Sequence, residues 1–500
     1  MRKGVFYKRA LAGILAGIIA VGAFPVQAFS AKKKEDVIKL RVCNWEEYID
    51  FGDWDEGDKI DLESAEIIGV NAMWKDFEDW YYETYGKHVK VEYSSFGTNE
   101  DLYNMLTLGD EYDLVCPSEY MFMKLMDEKK LVPLSDHFYD TSDENNFYAR
   151  GVSPYLKNIF DKSEINGESW SKYAAGYMWG VTGIVYNPEF VTEEEASTWK
   201  ILGDTKFKRR ITIKDNVRDS YFAAVGALKH DLLTDPKFIS DPNYLKNLEN
   251  EMNDVSPDTI QAVQDYLQDV KNNAYSFETE SGKADMITGK VVANLQWSGD
   301  GVYTLDQADD VDFLLNYTVP VEATNVYFDG WVMLKSGIDG DAERQHAAEA
   351  FINFISRPDN VIRNMNYVGY TSVIAGGDDP LIYEYAEWSF GAEDDEEDTI
   401  EYPLGWFFSG DEEDENYILT ASSDCMNRQL RAQYPTKEDM ARSSIMVCFD
   451  NETNEKINQM WINVRCFNLL DVPVWVWILI VLAIIAGIVL YIRAKKKKVY

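Results

Sequence analysis

The chain has 500 residues, and its 86 Asp and Glu residues against 48 Lys and Arg residues give a formal net charge of −38. This length allows two or three domains with buried cores. The acidic balance excludes nucleic acid as a partner, because phosphate binding requires positive charge. It favours cations as partners. An acidic surface that only keeps a secreted protein soluble explains most of these charges equally well.

Residues 1–28 have the pattern of a secretory signal peptide. Basic residues come first, an apolar run extends from Ala10 to Phe24, and small side chains at Val26 and Ala28 mark a cleavage site. The mature chain is therefore expected outside the cytoplasm. Residues 29–37 include a charged stretch and are predicted to be a linker.

Strand-like and helix-like segments alternate after the linker. The motif VIKLRVCNW predicts a strand that ends in the aromatic and acidic cluster NWEEY, residues 44–48. Residues 72–86 carry apolar side chains at helical spacing and stop at Gly86, a residue favoured just beyond a helix.

The same alternation continues toward residue 120. A second strand is predicted at residues 87–96, Thr98 and Asp101 form a capping box for the next helix, and residues 112–120, YDLVCPSEY, form a third strand that runs into a loop. This order indicates a mainly parallel, doubly wound sheet. Such sheets bind ligands at the carboxyl ends of their strands, where both NWEEY and PSEY fall.

The second half of the chain repeats the alternation and ends in an apolar run. Further strands are predicted within residues 176–187, 209–219, 291–301 and 325–337, and a helix over residues 342–361 that Pro358 ends. Residues 383–417 place acidic blocks around the aromatic segment YPLGWFFSG and are predicted to be an inserted solvated loop. A calcium site in this insert is the alternative, but the ligand spacing of a calcium loop is absent.

Residues 472–492 are uncharged and long enough to cross a hydrocarbon core of about 30 Å as a helix. The basic tail at residues 493–500 follows directly, so the C-terminus is expected in the cytoplasm. The pattern predicts a single-pass anchor in the cell membrane that holds an extracellular domain.

Cysteine and histidine usage gives no sign of a cofactor or of catalysis. The five cysteines show neither a disulfide framework nor a zinc spacing, and a bridge between Cys425 and Cys448 is the alternative to buried thiols. The four histidines form no metal or catalytic-triad signature. No cofactor and no enzymatic activity are expected.

Six motifs together resemble one known family. They are NWEEY, YDLVCPSEYMFMKL, WGVTGIVYN, LQWSGD, FDGWVM and NYVGYTS. They occur in the order found in the periplasmic spermidine/putrescine-binding proteins of polyamine ABC importers, and the resemblance spans roughly residues 38–468. It implies a two-lobed α/β periplasmic-binding-protein fold of type II, in which each lobe is a doubly wound mixed sheet and the ligand lies between the lobes.

The resemblance also implies how the chain divides between the lobes. Lobe 1 is expected to comprise residues 38–180 and 328–375, and lobe 2 residues 181–327 and 376–470. The chain would cross between lobes near Gly180 and Val181 and return near Phe328 to Gly330.

A polyamine is a flexible alkyl chain with ammonium groups, so its site needs carboxylates and apolar walls. Aromatic rings cover methylene groups and attract cations by about 0.5–2 kcal/mol per contact. The resemblance implies twelve ligand-binding residues: Trp45, Glu46, Glu47, Tyr48, Ser118, Tyr120, Asn216, Asp219, Trp297, Tyr327, Asp329 and Tyr370. Two of them depart from the family pattern, since Asn216 stands where spermidine binders have aspartate and Glu46 replaces a small hydroxyl residue.

Several of these residues also have a purely structural explanation. Trp45 and Trp297 could be core aromatic residues, Asp219 could form only a salt bridge with Arg218, Ser118 could cap the following helix, and Glu46 could face solvent.

The sequence thus predicts a membrane-anchored extracellular binding protein that delivers spermidine or putrescine to the permease of an ABC importer. The alternatives are the same fold binding another organic cation or small solute, and a tethered sensor without a transporter.

Overall fold

A computed structural model describes residues 37–393, 396–466, 476–479, 482, 484 and 485. The predicted signal peptide lies outside the described residues, as do the basic tail and the linker apart from Val37. Most of the predicted membrane span at 472–492 also lies outside them. Among the residues that are described, no helix has both the length and the apolar character needed to cross a membrane.

A twelve-stranded mixed sheet organises the described part of the chain. Its strands are β1 (Ile38–Trp45), β2 (Val89–Phe96), β3 (Leu114–Val115), β4 (Leu131–Val132), β5 (Ala174–Tyr186), β6 (Ile211–Lys214), β7 (Ser276–Glu278), β8 (Ala293–Trp297), β9 (Asn316–Thr318), β10 (Thr324–Leu334), β11 (Thr371–Ser372) and β12 (Ser443–Ser444). The main order is β7-β6-β8-β5-β10-β3-β1-β2, while β9 and β11 pair with β5, and β4 and β12 pair with β10. Three two-stranded ribbons are separate: Ile60–Asp61 with Glu66–Ile67, Glu164–Ile165 with Glu168–Ser169, and Thr399–Pro403 with Ile418–Ser422.

Helices connect and cover these strands. The longer described helices are α1 (Met73–Tyr85), α2 (Asn99–Leu108), α3 (Glu119–Asp127), α4 (Pro154–Lys162), α5 (Val217–Leu228), α6 (Tyr244–Met252), α7 (Pro257–Asn273), α8 (Ser298–Asp309), α9 (Ala342–Ile355), α10 (Pro358–Val368), α11 (Leu381–Phe390) and α12 (Asn451–Arg465). The shorter ones are Phe147–Gly151, Glu193–Ala196, His230–Leu233, Pro236–Ile239, Ser281–Ile287, Lys335–Ile338, Gly405–Phe408, Gln429–Gln433 and Lys437–Ala441.

The first predicted elements are confirmed by the structure. Helix α1 ends before Gly86, whose φ of 66° is the left-handed conformation that favours glycine. Thr98 caps α2, because its Oγ1 accepts a hydrogen bond from the backbone N–H of Asp101 at 3.1 Å. Strand β1 pairs in parallel with β2 and with β3, as a doubly wound sheet requires.

Parallel pairing recurs at the opposite end of the sheet, where β6 lies between β7 and β8. Each end is therefore a parallel unit of its own. Two long and fully buried strands, β5 and β10, connect these two halves.

Strand β5 changes partner along its length. Its first part, up to Val181, pairs antiparallel with β10, and from Thr182 onward it pairs antiparallel with β8. Strand β10 in turn reaches β3 through Val332 and Met333. Both strands therefore take part in both halves and form the connection between them.

Two predicted segments differ from the structure. Helix α9 ends at Ile355, and Pro358 begins the next helix, α10, instead of ending the first. Proline lacks the N–H that an interior helical position needs, but it is tolerated in the first turn of a helix.

The segment 383–417 is not simply a solvated loop. Helix α11 covers its start, and Trp406, Phe407 and Phe408 are buried within it. The ring of Phe407 stacks on that of Trp179 in β5 at 5.8 Å. The prediction was wrong here because the acidic blocks flank an aromatic segment apolar enough to pack on the sheet.

Arg363 in α10 forms a buried ion pair with Asp50 of the loop after β1, and the two side chains are 5% and 0% exposed. Arg363→Met should lower the free energy of unfolding by about 3 kcal/mol, because Asp50 would remain buried without its cation. Urea denaturation measures this change. Lys39→Met is the control, since Lys39 and Glu92 pair at the surface with 67% and 48% exposure, and its loss should cost less than about 1 kcal/mol. Equal losses of unfolding free energy in the two variants would contradict the assignment of Arg363 and Asp50 as a buried ion pair.

Candidate ligand-binding site

A cavity of about 500 Å³ lies between the two halves of the sheet, and residues from both halves line it. All twelve residues predicted from the family resemblance lie in this lining. The cavity also has lining residues that the sequence did not single out: Asn99, Glu119, Glu280, Lys283, Asp300, Tyr303, Gln307, Asn325, Tyr367, Val368 and Met446. The ligand-binding role of the twelve remains a prediction, but the structure brings them to one place.

Strand ends account for this convergence. Trp45 ends β1 and Trp297 ends β8, while Ser118 precedes α3 just after β3, and Asn216 precedes α5 just after β6. These are carboxyl ends of strands in the two parallel units, where the turn into the next element leaves side chains facing a crevice. The side chain of Asn216 also caps α5, accepting hydrogen bonds from the N–H groups of Arg218 and Asp219.

Asp329 is the buried carboxylate of the connecting strand β10. The pairing of β10 with β5 shifts register just after Asp329, between it and Gly330. The side chain of Asp329 accepts hydrogen bonds from the hydroxyls of Tyr48 and Ser118, both at 2.7 Å. Burial raises the pKa of Asp329 to about 6, although both hydroxyls act to lower it. Ser118 therefore uses its hydroxyl for Asp329, and its side chain makes no hydrogen bond that caps α3.

Asp219, in the first turn of α5, is the second buried carboxylate. Its Oδ1 accepts a hydrogen bond from the indole N–H of Trp297 at 3.1 Å, and burial raises its pKa to about 6. The neighbouring guanidinium of Arg218 instead contacts the rings of Tyr120 and Phe449, at 4.5 and 4.2 Å from their centroids.

Neither carboxylate has a basic partner in contact. Over the described residues, no Lys or Arg nitrogen forms an ion pair with Asp219 or Asp329. Each instead receives hydrogen bonds from neutral groups. A buried carboxylate in this state is costly unless a cation neutralises it.

Asp300, in the first turn of α8, is a third buried acid, and the chain supplies its cations. Lys214 lies 2.7 Å and Lys283 3.5 Å from its oxygens, and the hydroxyl of Tyr370 donates to it at 3.1 Å. Burial acts to raise the pKa of Asp300, but the two ammonium groups hold it below its usual value. Sequence reasoning missed this cluster, although Lys214 lies in the strand predicted within residues 209–219 and Asp300 lies in the motif LQWSGD.

Aromatic rings surround the buried acids. Trp45 and Trp297 meet edge to face with centroids 6.4 Å apart, and Tyr370 contacts Tyr48 at 4.8 Å and Tyr327 at 6.3 Å. Both tryptophans are only partly buried, and both line the cavity. These rings can cover methylene groups of a guest and attract its cationic ends.

Glu46 and Glu47 differ from the enclosed acids because both are exposed. They line the cavity from its solvent side, and Glu47 has a left-handed backbone with φ of 53°. Glu119 is fully buried and accepts a hydrogen bond from the N–H of Phe328 at 3.1 Å. Burial raises the pKa of Glu119 to about 8, so this residue adds little charge near pH 7.

Among the described residues, the cysteines and the metal-ligating side chains form no alternative centre. Cys425 and Cys448 are both free, so the bridge considered between them is not formed. Within the described ranges there is no group of three or more His, Cys, Asp and Glu residues suited to a metal ion.

The fold and the cavity define a class of protein, a two-lobed receptor that encloses a small solute. Residues 72–385 match the family of bacterial extracellular solute-binding proteins, and the chain belongs to that family. Membership makes it a solute-binding protein rather than an enzyme, as the sequence predicted.

Named relatives agree with this assignment. The spermidine/putrescine-binding periplasmic protein of Escherichia coli K12 is 24% identical over 285 residues, which cover 56% of this chain and 70% of the relative. The putrescine-binding periplasmic protein PotF of the same organism is 24% identical over 373 residues, covering 73% of this chain and 84% of the relative. The predicted resemblance to polyamine-binding proteins is confirmed.

Solved structures share the fold. The substrate-binding protein PotD of a spermidine/putrescine ABC transporter from Streptococcus pneumoniae, solved with calcium and HEPES, has a TM-score of 0.53 at 23% identity, and the match covers 86% of this chain and 98% of that one. The TpPotD lipoprotein of Treponema pallidum has a TM-score of 0.54 at 17% identity, covering 86% and 99%. These similarities confirm the two-lobed α/β architecture.

The raised pKa of Asp329 has a consequence for stability. Its value of about 6 in the folded chain exceeds the unfolded value near 4, so the stability it contributes is present below about pH 4 and is lost as pH rises through about 6. The free energy of unfolding of Asp329→Asn should therefore exceed that of the ligand-free wild type by roughly 1–3 kcal/mol at pH 7.5. At pH 4 the two proteins should have equal free energies of unfolding.

Urea denaturation of the ligand-free proteins between pH 4 and 7.5 measures this difference. Asp359→Asn is the control, because Asp359 pairs with Arg357 at the surface and is 41% exposed. A variant at Asp329 that is less stable than the wild type at pH 7.5 would refute the placement of an unpaired charge there.

Proposed function

We propose that this protein captures a polyamine, either a diamine or a triamine, in the cavity between its lobes and delivers it to the permease of an ABC importer. The observation that carries the proposal is the pair of buried carboxylates, Asp219 and Asp329, enclosed by aromatic rings without a basic partner. The printed functions of the two Escherichia coli relatives support the same ligand class.

The energetics favour a guest with several ammonium groups. A charge pair at 4 Å has an interaction of order 4 kcal/mol at an effective dielectric near 20, and desolvation offsets part of it. Since Asp219 and Asp329 are already desolvated by the fold, the guest supplies the missing charge and loses only its own hydration. Trp45, Trp297 and Tyr48 would cover the methylene chain between its ends.

Capture and release require the lobes to move. Strands β5 and β10 connect both halves and leave the cavity between them, which suits closure around a guest and reopening at a permease. The strongly negative chain would also raise the arrival rate of cations, with salt screening this effect.

The proposal includes a membrane tether. The uncharged run at 472–492, the basic tail at 493–500 and the leader at 1–28 support an extracellular domain held by one C-terminal helix. Tethering would keep the binding protein near its permease.

Deleting residues 472–500 should release the protein from the membrane, because the apolar run would be gone. Fractionation of the expressing bacterium, followed by immunoblotting of pellet and medium, measures the release. Deleting only residues 493–500 is the matched control and should leave the protein in the membrane pellet. If the full chain and the variant that lacks residues 472–500 show the same distribution between pellet and medium, the proposed membrane tether is wrong.

Calorimetric titration of the full chain with putrescine, spermidine, spermine and glutamine tests the ligand class. At least one polyamine should bind and glutamine should not. Asp329→Ala should weaken binding at least about 100-fold through loss of a buried charge partner, and Trp45→Ala about 10-fold through loss of a cation–π and apolar contact.

Two control variants test whether the loss is local to the cavity. Asp161→Ala removes an acid that pairs with Lys157 at the surface, and Trp388→Ala removes an exposed ring outside the cavity lining. Both should bind as the wild type does. Wild-type indifference to all three polyamines would overturn the proposed function.

A further inference from the structure

One end of the cavity carries ammonium groups that belong to the protein. Lys283, in the helix Ser281–Ile287, lines the cavity with its side chain 18% exposed. Its ammonium nitrogen lies 2.6 Å from Glu280 and 3.5 Å from Asp300. Lys214 lies behind this wall, 1% exposed, 2.7 Å from Asp300 and 4.1 Å from the ring centroid of Trp297.

The charges at this end cancel. Two carboxylates, Asp300 and Glu280, face two ammonium groups, Lys214 and Lys283. We refer to these four residues as the lysine cluster. A guest ammonium placed beside the lysine cluster would meet a like charge on Lys283, and the two acids of the cluster already have cations.

The two acids outside this cluster have the reverse character. Asp219 and Asp329 accept hydrogen bonds only from neutral groups, Trp297, Tyr48 and Ser118. The rings of Tyr48 and Tyr370 connect Asp329 to the lysine cluster, because Tyr48 donates to Asp329, Tyr370 donates to Asp300, and the two ring centroids are 4.8 Å apart.

We propose that Lys283 determines specificity, so that the cavity selects an alkyl diamine over a triamine. Two enclosed carboxylates match two ammonium groups, and a third ammonium extending toward α8 would be repelled by Lys283. This inference rests on the proposed polyamine-binding function and names the ligand class within it. Lys283 acts by excluding a charge, so it is a different kind of residue from the acids that bind the guest.

Lys283→Met tests the inference, since it leaves Asp300 paired with Lys214 and frees Glu280 for a guest cation. Competition calorimetry of the full chain with putrescine and spermidine gives the ratio of the two dissociation constants. The wild type should bind putrescine more tightly. In Lys283→Met, spermidine affinity should rise at least about 10-fold while putrescine affinity changes less than about 3-fold.

Three further variants separate charge from shape. Lys283→Arg keeps the charge and should keep the diamine preference. The double variant Lys283→Met with Glu280→Gln removes the freed acid and should return the ratio toward the wild-type value. Lys290→Met makes the same change in net charge outside the cavity, where Lys290 pairs with Asp285 and is 47% exposed, and should leave the ratio unchanged.

The outcomes distinguish this inference from the function it rests on. A wild type that binds spermidine more tightly than putrescine, or a Lys283→Met variant with an unchanged ratio, overturns the role of Lys283 while polyamine binding stands. A wild type that binds neither polyamine overturns both.

Discussion

Two desolvated carboxylates without a basic partner are the feature on which the site depends. Asp219 and Asp329 are held by an indole N–H and by two hydroxyls, which orient them without neutralising them. Burial raises the pKa of each to about 6, so both are largely ionised at neutral pH and their burial carries an electrostatic penalty. In the proposed function a cationic guest would relieve that penalty, which would link stability, affinity and pH to the same two side chains.

The fold creates this situation by bringing strand ends from two parallel units against a pair of shared strands. Asp329 lies on β10, one of the strands common to both halves, whereas Asp219 belongs to the unit built on β6 and β8. The distance between the acids and the rings therefore depends on how the halves are oriented. In the proposed function this geometry would let the cavity close around a guest, with the lysine cluster as one of its walls.

Much of this arrangement followed from local sequence. Trp45 and Trp297 were predicted at the site because the family resemblance implied it, and apolar periodicity independently placed the motif of Trp45 at the end of a strand. The stop at Gly86 was equally local. The lysine cluster was not predicted, because the pairing of Lys214, Lys283 and Asp300 joins positions far apart in the chain, and a charge pattern does not reveal which lysine meets which acid. The burial of Phe407 on Trp179 was missed for the same reason, since acidic neighbours concealed a tertiary contact.

The most direct test of the central claim is the number of protons exchanged when a diamine binds. Calorimetry of putrescine binding at pH 6, in buffers with different ionisation enthalpies, gives that number. Two carboxylates with pKa values of about 6 are each half protonated at this pH, so the account predicts release of about one proton per guest, falling toward zero at pH 8 and decreasing in Asp219→Asn. Binding at pH 6 without proton release would show that the guest does not neutralise these two acids and would contradict the account.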